Sequence, residues 1–409
     1  MHIGFNDGID SDSDRILASG DEDENTPCSN FRINEDRLLN KFCCSRFFRI
    51  ILFIIALMII YFIYTFLFSH SHAASQSENQ PSFNHSKANQ IIHSLCDSYK
   101  HGAVSGDICS KLCNSPNWTL SDLYEGGSKH VLKLKENDKN IILKMHLPYI
   151  TNYDHVDPKV SEEEFTDKVT DIINEQTNLN WPKRYKNHLI KTLWPSYKKN
   201  PNGNSLSEAD RRSLWALLQQ DEFINFKILQ LSRVVPKVLG TCGHVYQAEY
   251  LIPFRMKGYY MNLKAKILVH LMGTLKLFYE FLNDPLQWCD VKFENLGLSA
   301  DYPKRFVVMD SDMLYTETKL RALLTSQKCV TDDQCMHFDC ESRCDNTTGH
   351  CTDRLNDNVD VFCKKLINRL FGNYWSKSNR YLAACHEAQN ATKRLADLRL
   401  VWSWSLSDV

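Results

Sequence analysis

Along the chain, one long apolar run and a polar gap are followed by strand-like and helix-like periods. Ile50 to Phe68 is 19 residues without a charge. At 1.5 Å per residue it spans about 30 Å, one hydrocarbon core, and it is apolar on every side. A transmembrane helix is therefore predicted over 47–68, with a cleaved signal as the competing reading because Ala73-Ala74 follows. Before it, residues 1–46 carry the acidic stretches 10–14 and 21–24 and read as a disordered tail. After it, residues 69–95 are rich in Ser, His, Asn and Gln and read as a stalk. Strand, Gly turn and strand follow over 120–134, then an aliphatic strand at 140–146 ending near Lys144. Ser207 caps a helix whose apolar face holds Leu214, Leu217, Leu218, Phe226 and Leu229, with Glu222 on that same face. The runs 235–242 and 244–252 pair around Gly243, a helix covers 263–282, and the tail beyond 356 is helical.

Charge and cysteines place this series in a compartment. Arg32, Arg37, Lys41, Arg46 and Arg49 precede the apolar run, and no Lys follows before Lys87, so the N-terminus is expected in the cytosol. The net charge of −1 gives no global field for nucleic acid. Of 15 cysteines, three precede the run and twelve follow it, an even set that reads as a disulfide framework in an oxidising lumen. N-glycosylation acceptors at Asn84, Asn117, Asn346 and Asn390 all lie on the same side. Six cysteines between 329 and 363 suggest a local disulfide knot, and their spacing lacks the Cys-x-x-Cys pair of a zinc site.

Candidate chemistry sits at 288–295, Trp-Cys-Asp-Val-Lys-Phe-Glu-Asn. Asp290, Lys292 and Asn295 have the spacing of a protein-kinase catalytic loop, which needs an acid for the acceptor proton, a cation for the moving phosphoryl group and a metal ligand. The run Phe306-Val-Val-Met ends on Asp310, where a kinase strand delivers its second metal ligand. Lys144 takes the place of the lysine that holds the α/β-phosphates, and Glu222 is its expected partner, with Glu162 to Glu164 as alternatives. Gly126 and Gly127 either approach phosphates or form a plain hairpin turn.

These segments, together with Cys-Val-Thr-Asp-Asp-Gln-Cys-Met-His-Phe-Asp-Cys-Glu-Ser-Arg-Cys at 329–344 and Trp215 to Phe223, resemble the divergent protein kinase domain 1 family over roughly 95–385. The resemblance implies an α+β fold: a two-lobed protein-kinase-like domain with a disulfide-rich insert, behind a single transmembrane helix. The N-lobe would cover 96–254 and the C-lobe 255–409, with the cysteine-rich segment at 329–363. It implies a single-pass type II protein of the endoplasmic reticulum membrane, or the Golgi. The catalytic domain would be lumenal, use ATP with Mg²⁺ or Mn²⁺, and act on a protein or glycan hydroxyl. Asp290 and Lys292 would be catalytic, Asn295 and Asp310 metal-binding, and Lys144, Glu222, Gly126 and Gly127 nucleotide-binding. The family's EF-hand-like insertion corresponds to 197–208. With Glu208 twelfth, Tyr197, Lys199 and Pro201 stand where oxygen ligands are needed, so calcium is not expected there. Cys289 replaces the usual Arg before Asp290, Asp310-Ser-Asp312 replaces Asp-Phe-Gly, and no Ala-Pro-Glu follows. The alternative is therefore a pseudokinase acting as a lumenal binding or scaffolding module.

Overall fold

A computed structural model describes residues 53–59, 61, 85–114, 117–127, 129–197, 205–254, 261–299, 305–372, 377, 379, 382–386 and 390–400. The chain divides into two units, 1–81 and 82–409. In the first, residues 53–59 are helical and their large apolar side chains are exposed. Among the described residues no helix is long and apolar enough to cross a membrane. The rest of the Ile50–Phe68 run, the acidic tail 1–46 and stalk residues 69–84 lie outside the described residues.

In the second unit the first element corrects the expected stalk. Residues His85–Lys100 form helix α1, whose Ala88, Ile91, Ile92 and Leu95 are buried. That i, i+3, i+4, i+7 stripe gives an otherwise polar helix one apolar face. It shares a core cluster with Leu132, Leu134, Leu143, Met145 and Val245 of the sheet that follows. A short helix α2 (Cys109–Cys113) completes this cover.

The sheet has β1 (Trp118–Gly126), β2 (Lys129–Glu136), β3 (Lys139–Met145), β4 (Val238–Cys242) and β5 (Val245–Ala248) in the order β1-β2-β3-β5-β4, all antiparallel. Between β3 and β4 lie α3 (Glu162–Thr177), α4 (Lys186–Leu193), α5 (Glu208–Leu218) and α6 (Asp221–Ile228). The expected insertion is thus largely helical, and its Phe165, Val169, Leu189 and Leu193 join the main core. Residues 198–204 of the EF-hand-like segment lie outside the described residues.

The helix expected to run unbroken from Ser207 is two helices. Ser207 caps α5 through a capping box with Asp210, as its sequence indicates. At Gln219-Gln220 the chain then turns. The Gln220 amide accepts from His146 N at 2.9 Å and donates to His244 O at 2.8 Å and Ala216 O at 3.2 Å. Gln219 likewise accepts from Asp154 N. Both side chains compete with the helix for backbone partners, and this break ends α5 without a Gly or Pro.

The second lobe is built on α7 (Met261–Tyr279), with β6 (Ile252–Pro253) as the crossing strand. There follow β7 (Leu286–Trp288), β8 (Leu296–Leu298), β9 (Phe306–Val308), β10 (Leu314–Thr316) and α8 (Glu317–Ser326). Trp288 is fully buried and meets Phe278 of α7 and Phe362 in edge-on contacts, fixing the chain just before Asp290.

All twelve cysteines beyond the apolar run are paired: 96–113, 109–242, 289–340, 329–344, 335–351 and 363–385. The local knot is smaller than expected. Two bridges close within 329–351, while Cys340 and Cys363 reach outside the segment, to Cys289 and Cys385.

His244, in the β4–β5 turn, is 1% exposed. Its Nε2 donates to Pro148 O at 3.2 Å, and its Nδ1 meets no partner among the described residues. Burial, opposed by the Pro148 bond, pushes its pKa down to about 4. The unfolded chain takes up this proton near 6.5 and the folded one only near 4, so stability is lost as pH falls between those values. Wild type should lose about 3 kcal/mol more than His244→Gln between pH 7 and pH 4. Urea unfolding at both pH values measures it; equal losses would show that the ring protonates freely in the folded state.

Candidate nucleotide cleft

Lys144 lies on β3, flanked by β2 and β5 through its pairs Val131 and Tyr246. That register sends its side chain toward α6, where Glu222 follows the Gln220 break. The Lys144 ammonium is 2.9 Å from Glu222 Oε1 and donates to Met309 O at 2.7 Å. The alternatives are engaged elsewhere. Glu162 accepts from Ser205 N, Glu163 pairs with Lys186 and Glu164 with Lys168. Glu222 is 4% exposed, and its other oxygen accepts from Tyr246 Oη at 2.6 Å. Burial alone would raise its carboxyl, but Lys144 and Lys129 outweigh that and hold it below the usual range.

Lys129 is a member of this cluster that the sequence did not single out. It opens β2 directly after the Gly126–Gly127 turn and reads there as an ordinary strand-end lysine. Its Nζ lies 3.0 Å from Glu222 Oε1, 2.9 Å from Asp310 Oδ1 and 2.9 Å from Asp312 Oδ2. Burial would strip its proton, but the three carboxylates hold it charged. Asp310 is held below the ordinary carboxylate range: the Lys129 charge outweighs its burial. Asp312 moves the other way, because burial and the Glu222 charge together exceed the pull of Lys129. Gly126 pairs with Lys129 across a tight hairpin, and a Cβ on Gly126 or Gly127 would meet nothing within 4 Å. The two glycines therefore form a hairpin turn with open space around it.

The catalytic-loop residues come together beside this cluster. Asp290 Oδ2 accepts from Lys292 Nζ and Asn295 Nδ2, both at 2.8 Å. The two halves of the cleft meet at Met309, whose N donates to Asn295 O at 2.8 Å while its O receives Lys144. Cys289, bridged to Cys340, stands before Asp290. Its N donates to Met313 O and its O accepts from Asp339 N, while Val291 N donates to Asp339 Oδ2. Asp339 also pairs with Lys365 at 2.8 Å. The disulfide hairpin thus grips the loop on both sides of Asp290.

Glu222, Asp310 and Asp312 offer oxygens within 4.8 Å of one another. An all-oxygen carboxylate set suits a hard divalent cation such as Mg²⁺ or Mn²⁺. A buried Lys–Glu pair, an Asp-x-Lys-x-x-Asn loop and an Asp after a short strand are here in one cleft, the set that a protein kinase uses. Residues 214–390 match a family model described as the protein-kinase domain of FAM69, and residues 41–206 match one described as the N-terminal cysteine-rich ER region of FAM69. The chain belongs to the FAM69 family. The gap between the two matched regions, 207–213, covers the start of α5, so Lys144 comes from the cysteine-rich part of FAM69 and Glu222 from its kinase part. The ion pair between them ties the two matched regions into one cleft.

Proposed function

We propose that this FAM69 protein binds ATP with Mg²⁺ or Mn²⁺ and transfers the γ-phosphoryl group to a lumenal hydroxyl on a protein or glycan. In this reading the Ile50–Phe68 segment is a signal-anchor helix, and the protein is a type II glycoprotein of the endoplasmic reticulum membrane. The six disulfides and the acceptor sequons beyond the segment support that side of the membrane; Asn117, Asn346 and Asn390 are exposed. No nucleic-acid partner is proposed.

The observation that carries the reading is the buried Lys144–Glu222 pair, coupled through Met309 to the Asp290 loop. Lys144 would hold the α/β-phosphates, and Glu222 fixes its direction. Asp310, with Asp312 and Glu222 around it and Asn295 offering Oδ1, would hold the divalent ion, since Asn295 Nδ2 already donates to Asp290. That ion supplies neutralisation of the phosphate charge. Asp290 would take the acceptor proton, and Lys292, now 2.8 Å from it, would turn to the transferring group. The pseudokinase reading draws on one observation: Lys129 already sits among the carboxylates a metal would need.

Nucleotide binding by the full-length protein in detergent, with Mg²⁺ or Mn²⁺, tests the proposal. Wild type should bind, while Lys144→Ala and Asp310→Ala should bind at least about ten-fold more weakly. Asp290→Ala should keep binding and lose transfer, because its partner is the acceptor hydroxyl. Binding by wild type without transfer to any lumenal acceptor decides for the pseudokinase. Equal affinity in all variants, or none in wild type, removes the nucleotide reading.

A further inference from the structure

Two lysines converge on one oxygen of Glu222, and they differ in freedom. Lys144 is fixed between two neighbouring strands and by its bond to Met309 O. Lys129 sits at the foot of a hairpin whose Gly127 has φ +28° and open space around it. Its three ammonium hydrogens face three carboxylates, Glu222, Asp310 and Asp312. With Lys144 counted, three carboxylates face two ammonium groups, leaving one negative charge. Without Lys129 these three carboxylates, with oxygens within 4.8 Å of one another, would face Lys144 alone of the two ammonium groups.

We propose that Lys129 is a tethered cation that keeps the metal subsite closed: its ammonium holds the place between Asp310, Asp312 and Glu222 that a divalent ion needs, and it leaves when that ion enters. The inference rests on the metal-nucleotide reading of this cleft and adds an order to it. A divalent ion alone displaces Lys129 without offering it a new partner. A metal–nucleotide complex brings phosphates that can receive the released ammonium. Metal and nucleotide should therefore bind together much better than either binds alone.

The test is Mn²⁺ binding to the full-length protein without nucleotide, read from the electron paramagnetic resonance signal of free Mn²⁺. Lys129→Met keeps the aliphatic stem and removes the charge. It should bind Mn²⁺ at least about ten-fold more tightly than wild type, and Mn²⁺ should raise its melting temperature more than that of wild type. Lys129→Arg keeps a cation in place and should bind Mn²⁺ as weakly as wild type. Lys129→Gln, which retains hydrogen-bond donors to the carboxylates, carries the comparison if Lys129→Met does not fold. Unchanged or weaker Mn²⁺ binding in the neutral variants, or tightening in Lys129→Arg as well, overturns the proposal. Tighter Mn²⁺ binding in Lys129→Met sustains the tethered cation even if wild type binds no nucleotide. Nucleotide binding by wild type with no gain in Mn²⁺ affinity sinks the tethered cation and leaves the nucleotide reading standing.

Discussion

Replacing Cys289 and Cys340 together by Ser is expected to lower the stability of the folded domain by about 4 kcal/mol, the loop-closure value for a bridge of this span. The bridged residues are 51 positions apart, so the bridge removes much freedom from the unfolded chain. On the proposed chemistry the same change should cost transfer more than nucleotide binding. Asp290 depends on the loop held by Cys289 and Asp339, whereas Lys144 is held by the sheet. Urea unfolding, nucleotide binding and phosphoryl transfer on the double variant measure these effects. Stability within 1 kcal/mol of wild type, with transfer intact, would make the bridge incidental.

Glu222→Ala should be among the most damaging single changes, at about 3–5 kcal/mol. It leaves Lys144 and Lys129 without their common carboxylate and Tyr246 Oη without its acceptor. Lys144→Met should cost less, because Glu222 keeps Lys129 and Tyr246. Denaturant unfolding of the two variants decides it. The opposite ranking would mean that Lys129 does not stay with Glu222 in solution.

The clustering of Asp290, Lys292 and Asn295 was legible because it is local: the three lie within six positions. The Lys144–Glu222 pair was legible because a carboxylate on an apolar helix face requires a cation. Lys129 left no such mark. Its three partners are all 93 or more positions away, and the sequence around it is that of any hairpin end. Disulfide connectivity was hidden for a similar reason: an even count fixes pairing without choosing partners. Helix α1 did leave a signal, the Ala88, Ile91, Ile92, Leu95 spacing, but its Ser, His and Asn content obscured it. The break at Gln219-Gln220 could not be seen because the apolar period continues across it, and only side-chain bonds to distant backbone end α5.

That break bears on regulation. Protein kinases are commonly switched by swinging the helix that carries the glutamate of the Lys–Glu pair. Here Gln220 bonds to His146 N, Ala216 O and His244 O, and Asn225 to Ser311 O and Leu314 O. Swinging Glu222 outward would break all of these. At about 1 kcal/mol each, the outward state would hold roughly one molecule in several thousand. An effector would have to bind that state thousands of times more tightly to populate it. On the proposed chemistry the helix is a fixed wall of the cleft, and the response to ligands falls to Lys129 across from it.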